Sequence, residues 1–224
     1  MHSDLRTIVQ NQRDFYHSQQ TREIEFRIRQ LSALRTLILE YEDKITQALW
    51  EDLHKPKFEA YTTEIGMVLA EISLHLKHIR RWSKPERIST NQMLHFWSSS
   101  RIIREPYGVV LIIATWNFPF LLLLHPLIGT ISAGNCAALK SSEFAPHTST
   151  VIREMIRDTL IHFTNQRMPF GGVGQSGFGC YHGKYSFDTF SHRRSVMKKV
   201  TWLDIPVRYP PYGNKLRLIK WLLK

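Results

Sequence analysis

The sequence predicts an α/β fold in which amphipathic helices pack on a partial parallel β-sheet. Apolar residues recur every three or four positions through the first third of the chain, and a β-branched apolar run follows at residues 109–114. The 224 residues are 43% hydrophobic and include six Trp, eight Tyr and twelve Phe. This content of large apolar side chains is sufficient for a core and excludes a disordered chain.

The helical part comes first. Apolar spacings of three and four over residues 21–53 predict one long helix, with Thr21 as its N-cap and Pro56 after its end. The same pattern predicts a second helix over residues 63–82, and we expect a shorter helix at residues 4–19.

The sheet follows the helices. Residues 109–114 form a continuous apolar run between Gly108 and Asn117, which predicts a strand buried on both faces, as in a parallel sheet. A second strand is predicted at residues 137–140, and a helix at residues 148–158.

Residues 106–139 contain no charged side chain, which raises the alternative of a transmembrane helix. Pro119, Pro126, Asn117 and His125 interrupt every window that is long enough to span a bilayer. We therefore interpret this stretch as a buried strand, a turn and a buried helix.

The net charge of +11 is concentrated at one end of the chain. Residues 159–224 carry 11 basic and 2 acidic side chains, so most of the positive charge lies in this end of the chain. A DNA-binding domain would be basic throughout, and so we expect no nucleic-acid partner. Two cysteines cannot form a disulfide framework, and no basic segment followed by an apolar stretch comes after Met1. We therefore expect a cytoplasmic protein without a signal peptide.

A glycine-rich segment at residues 171–179 contains Gly172-x-Gly174-x-x-Gly177, a literal match to the dinucleotide-binding pattern. That pattern requires a strand before it, a helix after it and an acidic residue about 20 positions further on. The sequence before the segment, Met168-Pro169-Phe170, is not a strand pattern, and Gly179 and Gly183 interrupt any helix after it. The next acidic residue, Asp188, is too close. We therefore interpret the segment as tight turns.

Two other constellations have structural interpretations. Glu71, His75 and His78 share a helical face, and we interpret them as an exposed polar face rather than as metal ligands. Cys180 with His182 nearby resembles a thiol nucleophile with its base, but a cysteine among glycines is more often a small structural residue.

Several segments together carry a more specific signal. Trp116-Asn117-Phe118-Pro119 directly follows the predicted strand. The motifs that accompany it lie at residues 105–110, 126–129, 133–135 and 140–143, and later at 168–177, 181–184, 187–194 and 208–212. Their order and spacing closely resemble the NAD(P)-dependent aldehyde dehydrogenases. Residues 23–34 and 78–85 resemble the class 3, or fatty-aldehyde, branch of that family.

The resemblance implies an aldehyde dehydrogenase fold with a partial Rossmann-like sheet, and it implies roles for individual residues. Asn117 would donate its side-chain amide to the oxyanion of the thiohemiacetal, a task that suits a neutral donor. Phe170 would lie near the substrate passage. The residues implied to contact NAD or NADP are Thr115, Trp116, Lys140 and Glu143.

The catalytic centre that the resemblance implies is not complete in this sequence. The family's reaction uses a cysteine nucleophile and a glutamate general base, and we find neither segment. Cys136 and Cys180 lie outside the nucleophile's place. An internal deletion joined near Thr159 is the simplest explanation, and it divides the chain into an N-terminal helical and partial cofactor-binding domain, residues 1–158, and a C-terminal piece, residues 159–224.

The family oxidises aldehydes to carboxylic acids with NAD or NADP, and the resemblance implies an aliphatic or aromatic aldehyde as substrate. We expect this shortened chain to be inactive. The alternatives are a non-catalytic pseudoenzyme or oligomerisation partner of a full-length relative, or the product of a damaged gene. We expect the chain to form a homodimer or to associate with a full-length relative. The basic tail, residues 212–224, predicts at most a weak peripheral contact with membranes.

Overall fold

A computed structural model of the chain describes residues 5–90, 97–158, 170–171, 180–181 and 183–198. The chain divides into two compact units. One comprises Met1–Lys84 and Arg104–Arg193, and the other comprises Pro85–Ile103 and Arg194–Lys224. The predicted α/β class is confirmed. The helices are α1 Leu5–His17, α2 Ile24–Glu40, α3 Glu42–Leu53, α4 Lys57–Ala60, α5 Gly66–Trp82, α6 Pro119–Ala133, α7 Pro146–Asp158 and α8 Lys184–Thr189.

The prediction of one helix over residues 21–53 is wrong. The helix breaks at Tyr41, which separates α2 from α3, and Thr21 lies in a short 3₁₀ turn ahead of α2 rather than at its N-cap. Leu31 and Ile38 before the break and Ile45 after it are all fully buried. Both helices thus place their apolar residues in the same core, so the apolar periodicity continues across a change of helix.

The other helix predictions are confirmed with shifted ends. The shorter N-terminal helix is α1, and the helix expected over residues 63–82 is α5, which follows a π-helical turn at Tyr61–Ile65. The helix expected at 148–158 is α7, which begins two residues earlier at Pro146.

Helix α6 accounts for most of the uncharged stretch. It begins with Pro119, whose missing N–H is not needed in the first turn, and it ends at Gly134 with a φ of 91°. Most of its side chains are buried, including Phe120 and Leu124. Among the described residues, no helix is both long enough and apolar enough to cross a membrane.

Strands β3, Val109–Ile113, and β4, Cys136–Lys140, pair in parallel, so that Val109 lies opposite Cys136 and Ile113 opposite Lys140. Ile112 is buried in the core, whereas Leu111 is 64% exposed and Ile113 63% exposed. The prediction that this strand is buried on both faces is therefore wrong, because successive side chains point to opposite faces of a sheet and only one of these faces is well covered.

Among the described residues, the remaining strands form a three-stranded sheet and a two-stranded antiparallel sheet. Strands β1, Glu86–Ile88, and β2, Ser99–Pro106, pair with Glu86 opposite Ile102, and β7, Ser191–Lys198, lies on the other side of β2. Strand β5, Phe170–Gly171, pairs with β6, Cys180–Tyr181. The rest of the predicted glycine segment, residues 172–179, lies outside the described residues.

A buried carboxylate attaches α7 to α3. Asp52, the penultimate residue of α3, accepts hydrogen bonds from the backbone N–H groups of His147 at 3.1 Å and Thr148 at 2.7 Å. These amides lie in the first turn of α7 and have no partner within the helix. Although burial alone would raise the pKa of Asp52, the hydrogen bonds from Thr148 and His147 together hold it below its ordinary value.

Asp52→Asn is expected to lower the free energy of unfolding by about 1–2 kcal/mol at neutral pH, because an amide replaces one acceptor oxygen with a donor. The folded-state pKa of Asp52 is depressed, so its stabilisation is present above the ordinary value of 3.8 and is lost as the pH falls through the folded-state pKa. Urea denaturation from pH 7 downwards measures this difference. Asp14→Asn, at an exposed position, is the control and changes little. A difference between Asp52→Asn and the native chain that does not shrink in acid contradicts the prediction.

Candidate active site

The turn between β3 and α6 carries the residues that the resemblance selects. Thr115, Trp116 and Asn117 follow the carboxyl end of β3, and all three are exposed. In α/β proteins, ligands bind outside the carboxyl ends of parallel strands. The position of these three residues is therefore one at which a ligand is expected.

Asn117 is held in one orientation by its neighbour. The Thr115 hydroxyl donates a hydrogen bond of 2.6 Å to Asn117 Oδ1. The amide nitrogen Nδ2 of Asn117 makes no hydrogen bond to any residue that the structure describes. The side chain thus presents an unused neutral donor at the surface, which is the chemistry needed to stabilise an oxyanion without titrating.

A buried ion pair supports this turn from below. Lys55, in the loop after α3, places Nζ 2.5 Å from Glu64 Oε1, and both side chains are nearly inaccessible to solvent. The same ammonium lies 3.4 Å from the carbonyl oxygen of Asn117 and 3.9 Å from the centroid of the Phe118 ring. Lys55 therefore contacts two successive residues of the turn.

The other oxygen of Glu64 fixes the start of α6. Glu64 Oε2 accepts hydrogen bonds of 3.0 Å from the backbone N–H groups of both Phe120 and Leu121. A carboxylate at the N-terminus of a helix also interacts favourably with the helix dipole. The backbone on both sides of Asn117 is thus anchored to one buried charge pair.

Burial raises the pKa of Glu64 above its ordinary value, while the Lys55 ammonium and the two backbone amides oppose this shift. The carboxylate therefore depends on its partners to remain ionised. Sequence reasoning missed both Lys55 and Glu64, because a lysine and a glutamate in a helical region ordinarily indicate a solvated surface.

A second pair of polar residues lies at the end of β4. Lys140 Nζ is 2.9 Å from Glu143 Oε1, and both side chains are exposed. The hydrogen bond from Lys140 holds the pKa of Glu143 below its ordinary value. Because Lys140 pairs with Ile113, the structure brings Lys140 to the same edge of the sheet as Thr115.

The other predicted site elements are described only in part. Phe170 lies in β5, but its side chain is outside what the structure describes, as is that of Cys180. His182, the junction expected near Thr159 and the basic tail also lie outside the described residues.

The interpretation of Glu71, His75 and His78 as an exposed polar face is wrong. Glu71 and His75 are fully buried and His78 is half-buried, because other helices pack around α5. Glu71 Oε1 lies 3.2 Å from His75 Nε2 and 3.8 Å from His125 Nε2.

The same carboxylate oxygen accepts a hydrogen bond of 2.6 Å from the backbone N–H of Gly183, directly before α8. Glu71 thus joins α5 to the C-terminal part of the chain. Within the described residues, no group of three or more His, Cys, Asp or Glu side chains is placed to hold a metal ion.

Cys136 has the properties of a structural cysteine. It lies at the start of β4 and is 6% exposed, and burial raises the pKa of its thiol to about 11. The reactive form of cysteine is the thiolate, which is scarce at neutral pH when the pKa is this high.

Comparisons with known proteins identify relatives of this chain. The model of the aldehyde dehydrogenase family matches residues 2–162. The 4,4'-diaponeurosporen-aldehyde dehydrogenase of Staphylococcus aureus is 46% identical over 146 residues, which are 65% of this chain and 32% of that protein. An aldehyde dehydrogenase of Craterostigma plantagineum is 42% identical over 153 residues, 68% of this chain and 32% of that protein. The chain thus spans about a third of the length of the curated relatives it matches.

Solved structures show the same fold. The structure titled as the substrate-bound state of Staphylococcus aureus AldH matches with a TM-score of 0.93 at 22% identity, covering 99% of this chain and 100% of that chain. The glyceraldehyde-3-phosphate dehydrogenase GapN of Methanocaldococcus jannaschii, complexed with NADP, matches with a TM-score of 0.59 at 20% identity, covering 68% of this chain and 32% of that chain. At these identities the likeness concerns the fold alone.

Lys55→Met is expected to lower the free energy of unfolding by about 3–5 kcal/mol, because it leaves the Glu64 carboxylate buried without its counter-ion. The double variant with Glu64→Gln should recover part of this loss, since the buried charge is removed together with its partner. Chemical denaturation measures both variants.

Lys57→Met is the matched control. Its pair with Asp43 has side chains that are 67% and 90% exposed, so Lys57→Met should leave the free energy of unfolding nearly unchanged. Equal losses for Lys55→Met and Lys57→Met would contradict the assignment of a structural role to the buried pair.

Proposed function

The chain belongs to the aldehyde dehydrogenase family, and from that membership we propose that it is a non-catalytic member which retains the oxyanion-donor turn of an aldehyde-oxidising site. The observation that carries this proposal is the contrast between Asn117, whose amide is exposed and held in position, and Cys136, whose thiol is buried. Asn117 would supply the oxyanion donor of the reaction, whereas Cys136 would not supply its nucleophile.

The reaction of the family needs a thiolate to attack the aldehyde carbonyl and a carboxylate base to activate water. The sequence contains two cysteines. Cys136 holds its proton at neutral pH because burial raises its pKa to about 11. Cys180 belongs to the C-terminal signature by resemblance. Glu64 is the buried carboxylate that binds the start of α6, directly after the turn. Lys55 and two backbone amides occupy its oxygens, so it is not available as a base.

A nicotinamide dinucleotide supplies the hydride acceptor in this family when it is bound. The residues of this chain that would hold it are Thr115, Trp116, Lys140 and Glu143, all of them exposed at the carboxyl ends of β3 and β4. A lysine donor and a carboxylate acceptor suit vicinal ribose hydroxyls. The hydrogen bond between Lys140 and Glu143 uses one ammonium donor and one carboxylate oxygen, so both groups keep further capacity for ribose hydroxyls.

Asn117 would accordingly be the polar contact to an aldehyde oxygen, and Phe170 would lie along the approach of the substrate. We propose that this turn binds an aliphatic or aromatic aldehyde. The S. aureus relative is named for an aldehyde substrate, as a 4,4'-diaponeurosporen-aldehyde dehydrogenase.

Association with a second copy or with a full-length relative belongs to the same proposal. All three residues of β1 are exposed, as are most residues of β7. Strands with this much exposure at the two sides of a sheet are available for pairing or packing with another chain.

The purified chain is expected to produce no NADH from NAD and a medium-chain or aromatic aldehyde, because Cys136, the cysteine whose side chain the structure describes, is buried and protonated. Absorbance of NADH measures this, with a full-length family member as the positive control under the same conditions. Aldehyde-dependent NADH formation that disappears in Asn117→Ala would overturn the proposal of a non-catalytic chain. Formation that is unchanged in Asn117→Ala would instead indicate a contaminating enzyme, and a preparation free of it must then show none.

A further inference from the structure

Helix α8 is joined to α5 through one buried carboxylate oxygen. Glu71 Oε1, on α5, accepts a hydrogen bond of 2.6 Å from the backbone N–H of Gly183, directly before α8. The second oxygen of Glu71 is buried and makes no hydrogen bond to any residue that the structure describes. The hydrogen bond to the start of α8 therefore depends on Oε1.

Two imidazoles face the same oxygen. His75 Nε2 lies 3.2 Å and His125 Nε2 lies 3.8 Å from Glu71 Oε1, and all three side chains are inaccessible to solvent. We call Glu71, His75 and His125 the Glu71 cluster. One carboxylate balances the charge of one imidazolium, so a second imidazolium would be a buried charge without a counter-ion.

The other charged groups around the cluster do not supply that counter-ion. Helices α2, α6 and α8 and the π-helical turn pack on α5, and His125 is the one titratable side chain of α6. In the described part of the chain, the buried and half-buried charges on the other three elements have partners: Arg27 has three backbone carbonyls, Glu64 has Lys55, and Asp188 has Arg104 and Lys184. The further charges on α5 are exposed cations at Lys77, Arg80 and Arg81.

The cluster also contacts α8 through aromatic rings. His75 packs edge-on against Trp82, with ring centroids 5.0 Å apart, and Trp82 lies 5.9 Å from Phe187 of α8. His78 contacts the same indole, and its pKa is lowered by burial and by the neighbouring cations of α5. Helix α8 has six residues, compared with 17 in α5 and 15 in α6, so its separation costs the least buried surface.

We propose that the Glu71 cluster is an acid-sensitive latch, which holds α8 against α5 and α6 at neutral pH and releases it when both imidazoles are protonated. Imidazole is the side chain that ordinarily changes charge between about pH 5 and about pH 8. Release exposes the second imidazolium to water, so the open form binds more protons than the closed form. Acid therefore favours opening, by up to about tenfold per pH unit for each additional proton. This inference goes beyond the proposed function and requires no activity of the chain.

Amide hydrogen exchange of the full chain, measured by NMR and corrected for the intrinsic pH dependence of exchange, tests the latch. The amides of Phe187 and Phe190 donate to the carbonyl oxygens of Gly183 and Ser186 and report on α8. Their protection should fall at least about tenfold between about pH 7.5 and about pH 5.5. The amides of Leu34 and Ile38, in the core of α2, should keep their protection within about twofold, because local opening leaves that core intact.

Two variants identify the groups that take up the protons. His75→Gln and His125→Gln each leave Glu71 with one imidazole to balance, so the fall in protection at α8 should nearly disappear in both. His17→Gln is the matched control, because His17 is exposed on α1, and it should retain the full fall. A glutamine variant that lacks protection throughout at neutral pH is unfolded, and the other one then decides.

Three results would overturn the proposal, and the native chain alone can give the first two. One is protection of Phe187 and Phe190 that does not change with pH. Another is an equal fall at Leu34 and Ile38, which would mean that acid unfolds the whole unit. The last is a fall at α8 that persists in the glutamine variants, which would assign the proton uptake to other groups.

Discussion

Three buried carboxylates on the N-terminal helices and the turn between them hold the later helices in place. Asp52 accepts backbone amides at the start of α7, Glu64 accepts amides at the start of α6, and Glu71 accepts the amide directly before α8. The first amides of a helix have no partner within it, so a carboxylate placed there satisfies donors that burial would otherwise leave unpaired. The sheet and the Asn117 turn take their positions from the helices that are held in this way.

Helix α6 shows why charges are needed inside an apolar core. It carries no charge of its own, yet Glu64 lies at its N-terminus and Arg27 at its C-terminus, where Nη1 donates to the carbonyl oxygen of Ser132 at 3.1 Å. Burial lowers the pKa of Arg27 to about 10, which leaves it protonated at neutral pH. A Cβ at Gly134 would lie 2.6 Å from the guanidinium, so the end of the helix is fitted closely to this charge. Opposite charges at the two ends complement the helix dipole and fix the turn that precedes α6.

Apolar spacing in the sequence predicted the main helices of the first third, because burial of one face produces that spacing, and a continuous apolar run predicted β3 but not its exposed face. It failed where burial alone does not decide the backbone, as at Tyr41, where two helices share one core. Asn117 was found only through the family resemblance of its neighbours. Lys55 and Glu64 left no signal, since nothing local distinguishes a charged residue that meets a distant helix end from one that meets water.

Amide hydrogen exchange tests the role of the three carboxylates most directly. The amides of Leu121, Thr148 and Gly183 should exchange about tenfold or more slowly than those of Glu25 and Phe26, because a hydrogen bond of about 1–1.5 kcal/mol protects them by roughly that factor. Glu25 and Phe26 lie in the first turn of α2, whose N-cap makes no side-chain hydrogen bond. Equal exchange rates in the two groups would show that the carboxylates do not hold the later helices, and the account of the fold and of its site would be contradicted.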